Sequence, residues 1–159
     1  MAIYKDSDNL GFISGLKSAG RKIVFTNGVF DIIHRGHIEY LNDAKSLGDV
    51  LIVGLNSDES VRRIKGEKRP VVSEYNRAVV LDNLKAVDHV VIFTDDTPEE
   101  IIKLIRPDIL VKGGDWNEDE IIGADFVRNT GGQVMTIRFR ENNSTTSIIN
   151  RIIELYCPQ

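Results

Sequence analysis

The sequence is poor in cysteine and histidine, which limits the disulfide and metal chemistry open to it. Its one cysteine, Cys157, lies near the C-terminus and cannot form an internal disulfide, as is typical of proteins in a reducing cytoplasm. Only three histidines are present, and no third metal ligand accompanies the clustered pair His34 and His37. A zinc site is therefore disfavoured, and we expect a cytoplasmic protein.

Long apolar runs and an excess of positive charge are missing as well. No apolar run approaches the roughly 20 residues that a membrane-spanning helix needs. Residues 1–20 are too polar and interrupted for a signal peptide. The net charge of −4 and the pI of about 5.4 give no basic face for nucleic acid. We expect a protein that binds neither nucleic acid nor a membrane.

What is present is the composition of an ordinary globular domain, with 42% hydrophobic and 28% charged residues. We expect one domain over 1–159, with an N-terminal helix within 1–20. Apolar runs without alternation predict buried strands at 23–25, 50–55, 90–93, 109–111 and 133–137. Amphipathic stretches alternate with them, which predicts a Rossmann-like, doubly wound α/β sheet of about five parallel strands.

Several local signals set the expected helix boundaries. Helices are predicted at 8–19, 74–84 and 124–130, and another is predicted with Thr97 as its cap and Pro98 as its first residue. Residues 62–69 are basic and interrupted by a glycine, and we interpret most of them as a solvated loop. Arg77 lies one turn inside the helix at 74–84. It is either a residue of a functional site or a surface arginine paired with Glu74.

The stretch Thr26–His37 combines a buried strand, a tight turn with glycine and the start of a helix near Gly36. A helix start offers unpaired backbone N–H groups to an anion. His34 and His37 are three residues apart and so face the same way, and Gly36 leaves the backbone open to a ligand. The alternative is that each histidine only caps or covers the helix. The grouping favours a phosphate-binding site.

These residues resemble a known signature. Asn27–Asp31 with His34–His37 is similar to the HxGH motif of the cytidylyltransferase-like nucleotidyltransferases, and Ser144–Ile148 is similar to the element that opens their last helix. Within that family the sequence resembles the adenylyltransferase domain of bacterial ADP-heptose synthases. The similarity covers a family core over 22–153 and includes Gly54–Asp58, Val87–Asp88 and Lys112–Trp116.

The resemblance implies a three-layer α/β/α fold with strand order 3-2-1-4-5. It also implies a reaction in which a phosphate oxygen of the acceptor attacks the α-phosphorus of a nucleoside triphosphate and pyrophosphate leaves. The expected substrate is ATP, with Mg²⁺ bound mostly by phosphate oxygens rather than by protein ligands. A homodimer or higher homo-oligomer is expected by the same analogy.

The resemblance also assigns roles to residues. The catalytic candidates are His34, His37, Lys65, which would hold the acceptor phosphate, and Arg77. The nucleotide-binding candidates are Asn27, Gly28, Val29, Phe30, Asp31, His34, Gly36, His37, Lys112, Gly113, Asp115, Trp116, Ser144, Thr145 and Thr146. Asp31 would fix the motif turn or approach Mg²⁺. Lys112, Asp115 and Trp116 would contact the acceptor or the base. For Ser144–Thr146 the alternative is an ordinary helix cap.

The sequence departs from the family pattern in two ways. Phe139 stands where the cytidylyltransferases carry an arginine, with Arg140 one position later, and no sugar-kinase domain is present. We therefore expect a stand-alone adenylyltransferase that converts D-glycero-β-D-manno-heptose 1-phosphate to ADP-heptose for lipopolysaccharide cores. One alternative is a cytidylyltransferase for glycerol 3-phosphate. The other is a non-catalytic nucleotide-binding module.

Overall fold

The computed structural model describes residues 2–6, 8, 10–114, 117–138 and 144–157. The strands are β1 Ile3–Lys5, β2 Ile23–Gly28, β3 Val50–Asn56, β4 His89–Phe93, β5 Ile109–Gly113 and β6 Gln133–Ile137. The helices are α1 Phe12–Ser18, α2 Arg35–Lys45, α3 Asp58–Lys65, α4 Glu74–Asp82, α5 Glu99–Ile105, α6 Ala124–Asn129 and α7 Thr145–Tyr156, with a short 3₁₀ helix at Glu118–Glu120.

All neighbouring strands are parallel, in the order β1-β4-β3-β2-β5-β6. The predicted fold class is confirmed, and β2 to β6 follow the relative order expected for five strands. The count of five was one too low, because β1 adds an edge strand beside β4. This strand has only three residues, too few to produce a periodic pattern. The Tyr4 ring, stacked 4.5 Å from the Phe12 ring, packs it against α1.

Side chains alternate along each strand, so the sheet has two apolar faces. On one face, strand residues such as Phe25 and Leu110 pack with the inward side chains of α1, α5 and α6. On the other, Val24 and Val111 pack with α2 and α4. Every residue of β3 is buried, as expected for a strand covered on both faces. The three-layer arrangement is therefore confirmed.

This topology positions the motifs. The chain leaves β2 for α2 on one face of the sheet and leaves β5 for α6 on the other face. Because β2 and β5 are neighbours, their carboxyl ends border the crevice where ligands bind in open α/β sheets. The histidine motif follows β2, and Lys112 and Gly113 end β5.

Several helix boundaries differ from the prediction. α1 is shorter than 8–19, α4 ends at Asp82, and Pro98 rather than Thr97 stands at the cap position of α5. Residues 62–65 belong to the last turn of α3 and are not part of a loop, because cations there are favoured by the helix dipole. None of the helices within the described ranges is long and apolar enough to cross a membrane.

Candidate active site

The two motif histidines form one stacked pair at the start of α2. His34 is the extended residue before the helix, and the ring centroids of His34 and His37 lie 3.9 Å apart with an interplanar angle of 28°. The His34 N–H makes a long hydrogen bond of 3.4 Å to His37 Nδ1. The three-residue spacing thus brings both rings to one side of the helix start. Gly36 is buried between them in the first turn.

Both imidazoles are neutral at pH 7 in the free protein. Burial, with a smaller contribution from the neighbouring His34, lowers the pKa of His37 to about 4, and burial also lowers the pKa of His34. His34 Nδ1 is shielded from solvent and has no hydrogen-bond partner among the described residues. The pair therefore presents polar ring nitrogens, and a bound anion would raise both pKa values by stabilising the charged form.

A buried hydroxyl pair holds α2 at the crevice. Tyr40 Oη lies 2.5 Å from Thr26 Oγ1 and 3.4 Å from the carbonyl oxygen of Val111. It thereby links α2 to the ends of β2 and β5. Burial raises the pKa of Tyr40 to about 12 despite its hydrogen bond to Thr26. The sequence analysis missed this contact, because an apolar-face tyrosine looks like any other core residue.

The motif turn has an unusual backbone. Phe30 adopts a φ of +45°, a left-handed conformation that residues other than glycine seldom take. Its ring lies 5.4 Å from the ring of His37. A Cβ atom at Gly28 would lie 3.0 Å from that ring, so a glycine at this position permits the close packing. The turn therefore places an aromatic side chain directly against the histidine pair.

Asp31 secures this turn to a segment about 40 residues away. Its carboxylate accepts hydrogen bonds from the N–H groups of Val71 and Val72 and from Arg69 Nε, at 2.7 to 3.0 Å. Burial alone would raise the pKa of Asp31, but these hydrogen bonds hold it below its usual value. Both oxygens are occupied. Of the two predicted roles, the geometry supports fixing the turn rather than binding Mg²⁺.

Arg77 is buried and reaches the same turn from α4. Its guanidinium donates to the carbonyl oxygens of Val29 and Val72 and to Asp58 Oδ1. The alternative of a surface arginine paired with Glu74 is wrong. Glu74 instead accepts a hydrogen bond from the N–H of Asp58. A direct contact between Arg77 and nucleotide phosphates stays a prediction, since these three hydrogen bonds of the guanidinium all go to protein atoms.

Two lysines, at the end of α3 and near the carboxyl end of β5, interact electrostatically with each other. Lys65 ends α3 and is exposed, and Lys112 near the end of β5 is half-buried. Burial lowers the pKa of Lys112, and the charge of Lys65 lowers it further. Neither ammonium group has an ion-pair partner within the described ranges, so the two charges repel each other and favour an anion between them. Asp115 and Trp116 lie outside the described residues, as do Phe139 and Arg140.

The start of α7 is a reciprocal cap. Ser144 Oγ accepts a hydrogen bond from the Ser147 N–H at 3.0 Å, and Ser147 Oγ accepts one from the Ser144 N–H at 3.1 Å. Ser144 thus acts as an ordinary helix cap. Within the part of the chain that the structure describes, the hydroxyls of Thr145 and Thr146 make no hydrogen bond to the histidine motif. Their role in phosphate binding stays a prediction.

A cavity of about 130 Å³ opens beside Asn27 and Lys112, and its other walls are Pro98, Glu120, Ile121 and Ile122. The sequence analysis missed these four residues, because only the fold brings the start of α5 and the end of the 3₁₀ helix to this cavity. A larger cavity of about 560 Å³ lies at the other end of the strands, before the amino ends of β2 and β5, and its lining includes Lys17, Arg21, Lys22 and Arg106. None of the motif residues lines it. The volume of a cavity therefore does not identify the candidate site in this protein.

The described residues include no group of three histidine, cysteine or acidic side chains that could hold a metal ion.

Comparisons with known proteins agree with this geometry. The profile of the family described as Cytidylyltransferase-like matches residues 25–151. The bifunctional protein HldE of Geobacter metallireducens is 51% identical over 156 residues, which is 98% of this chain and 32% of that protein. HldE of Helicobacter pylori is 56% identical over 132 residues, 83% of this chain and 28% of that protein. The chain thus spans about a third of the length of these curated relatives.

A solved structure gives the same result for the fold. The lipopolysaccharide core biosynthesis protein from Thermoplasma volcanium superposes with a TM-score of 0.64 at 32% identity, covering 78% of this chain and 100% of that one. The family match includes the motif turn, the histidine pair, the end of β5 and the start of α7. The chain therefore belongs to the cytidylyltransferase-like family of nucleotidyltransferases.

Proposed function

We propose that the chain transfers AMP from ATP to D-glycero-β-D-manno-heptose 1-phosphate, giving ADP-heptose and pyrophosphate. The observation that carries the reaction type is the stacked His34–His37 pair at the start of α2, and the interacting charges of Lys65 and Lys112 support it. The choice of acceptor is supported by the similarity to the HldE proteins and by the segment Lys112–Trp116.

The residues fit a transfer that needs alignment rather than proton removal. The acceptor phosphate is already an anion at neutral pH, so no strong general base is required. Charge that builds up on the triphosphate oxygens would be stabilised by the imidazoles of His34 and His37 and by the positive end of the α2 dipole. Lys65 and Lys112 would hold the acceptor phosphate near the α-phosphorus. This direct transfer requires no covalent enzyme intermediate.

Mg²⁺ belongs to this proposal as an ion carried on the triphosphate. When bound, it neutralises phosphate charge and assists the departure of pyrophosphate. The residues of the crevice would hold it only through the substrate, since Asp31 is committed to Arg69, Val71 and Val72. Binding of Mg²⁺ through the substrate alone fits a site whose own groups are cationic side chains and helix N-termini.

The proposal includes a homodimer or higher homo-oligomer. The C-terminal half of α7 exposes a continuous apolar face, formed by Ile152, Ile153, Leu155 and Tyr156, whose exposed fractions run from 48% to 78%. An apolar helix face of this kind is typical of a surface that a partner covers. Sedimentation would measure the assembly state.

The reaction is tested by measuring pyrophosphate release with Mg²⁺, crossing ATP and CTP with heptose 1-phosphate and glycerol 3-phosphate. Release with ATP and the heptose alone is expected. Release with CTP and glycerol 3-phosphate would replace the proposal with the cytidylyltransferase alternative. Absence of release in all four reactions would refute the proposed acceptor while the family assignment stands.

A further inference from the structure

The cavity beside β5, here named the acceptor cavity, is lined by Asn27, Pro98, Lys112, Glu120, Ile121 and Ile122. Asn27 and Lys112 have the same strand parity as Phe25 and Leu110, so their side chains lie on the face covered by α5 and α6. Ile121 also belongs to the core on that face. The histidine pair begins α2, which covers the opposite face. The two sites therefore meet at the crevice from opposite faces of the sheet.

Three polar side chains of different chemistry converge on this cavity. They are the amide of Asn27, the ammonium of Lys112 and the carboxylate of Glu120. None of the three makes a side-chain hydrogen bond or ion pair with another described residue; Asn27 and Lys112 are half-buried, and Glu120 is exposed. Desolvating polar groups without pairing them is unfavourable. A pocket with apolar walls and a few convergent, unpaired polar groups is the usual form of a small-molecule site.

The chemistry of the residues that line the acceptor cavity indicates which class of ligand it can bind. Lys112, with Lys65 nearby, suits a phosphate dianion, whereas the base of a nucleotide carries no charge that would require two ammonium groups. Asn27 and Glu120 suit hydroxyl groups, which donate to a carboxylate and both donate to and accept from an amide. Pro98, Ile121 and Ile122 offer an apolar wall to C–H groups. The volume of about 130 Å³ corresponds to roughly four water molecules.

The reaction geometry favours the same occupant. In phosphoryl-type transfer the attacking and leaving oxygens lie roughly in line on opposite sides of the phosphorus. With pyrophosphate leaving toward the histidine pair and the N-terminus of α2, the attacking phosphate would enter from the other face. The acceptor cavity opens on that face.

We propose that the acceptor cavity binds the polyol part of a sugar phosphate, with its phosphate between Lys112 and Lys65 and its hydroxyls on Glu120 and Asn27. Glu120 is then the residue that selects a sugar over a shorter alcohol phosphate. This inference rests on the proposed function, because it assigns an acceptor to the same transfer reaction.

The test compares Glu120→Gln with Glu118→Gln. Glu118 belongs to the same 3₁₀ helix, but it pairs with Arg128 at 3.5 Å and does not line the cavity.

Calorimetry would measure binding of heptose 1-phosphate, mannose 1-phosphate and glycerol 3-phosphate, with and without α,β-methylene-ATP. Glu120→Gln should weaken binding of the sugar phosphates about tenfold to a hundredfold, because a charge-assisted hydrogen bond is lost. Glycerol 3-phosphate and the nucleotide analogue should bind as before, and Glu118→Gln should behave as the wild type.

Lys112→Met distinguishes the contribution of the phosphate to binding from the contribution of the polyol. It should weaken all three phosphate compounds together, whereas Glu120→Gln affects the sugars. Equal affinities in Glu120→Gln and Glu118→Gln, or a wild-type protein that binds no sugar phosphate, would overturn the inference. A wild-type protein that uses CTP while Glu120→Gln still weakens sugar binding would overturn the proposed nucleotide and leave the cavity assignment intact.

Discussion

The replacement His37→Ala gives a sharp test of the histidine pair. Burial lowers the pKa of His37 to about 4 in the free protein, and in the proposed reaction the ring is a fixed hydrogen-bond donor to the phosphates. Removing one such group from a preorganised site costs about a hundredfold to a thousandfold in kcat. The expected result is a kcat lower by that factor, with KM for ATP changed much less.

His89→Ala provides the matched control. His89 is also half-buried, its pKa is also lowered by burial, and its ring stacks on Phe12 at 4.3 Å, much as His37 stacks on His34 at 3.9 Å. Both variants should lose about 1–2 kcal/mol of stability through lost packing of a half-buried ring. Only His37→Ala should lose turnover.

Pyrophosphate release at saturating substrates, together with urea unfolding, separates the two effects. If His37→Ala keeps kcat within threefold of His89→Ala while both remain folded at the assay temperature, the imidazole has no part in stabilising the transition state. The stacked histidine pair would then have only a structural role at the N-terminus of α2.

Four further predictions address other parts of the molecule. The pKa of His37 is lowered from 6.5 to about 4 in the native state, so as the pH falls the unfolded chain binds a proton before the native protein does. The free energy of unfolding should therefore fall by about 1–2 kcal/mol between pH 6.5 and pH 4, a value already reduced for the partial exposure of the ring. Urea titrations of His37→Ala should lack that loss. Asp31→Asn should cost about 2–4 kcal/mol in urea unfolding, because the fully buried carboxylate loses its charge-assisted bonds to Arg69 and to two backbone N–H groups. Asp96→Asn, in an exposed pair with Arg63 at 2.6 Å, should change stability by less than about 1 kcal/mol. Thr146→Ala should weaken ATP binding with kcat little changed, and an unaltered Kd for ATP would limit Thr146 to the helix start. Ile153→Glu should produce monomers in sedimentation, while Leu104→Glu, similarly exposed on α5, should leave the assembly intact; identical behaviour of the two would remove α7 from the interface.

The elements that the sequence predicted well are those whose signal is local. The unbroken apolar run at 50–55 is a strand buried on both faces whatever follows it, and β3 is buried throughout. The glycine-bearing turn between β2 and α2 and the three-residue histidine spacing likewise depend on neighbouring residues alone. They therefore predicted that the two rings face the same way, and the structure shows in addition that they stack.

Other features depended on residues far apart in the chain. Arg77 has the sequence context of a surface helix position, yet it is buried because the carbonyl of Val29 and the carboxylate of Asp58 meet it from other elements. Glu120 and Pro98 belong to no functional motif, and only the fold brings the start of α5 and the end of the 3₁₀ helix beside Lys112 of β5.

The sequence by itself determined the alternation of strands and helices, the parallel sheet and the position of the glycine-bearing turn before the histidine pair, because periodicity and turn chemistry act over a few residues. The tertiary structure alone decided that Asp31 fixes residues 69–72, that β1 joins the edge of the sheet, and which side chains meet in the acceptor cavity. Hydrogen bonds between residues about 40 positions apart leave no local pattern, since their geometry exists only after the sheet has assembled.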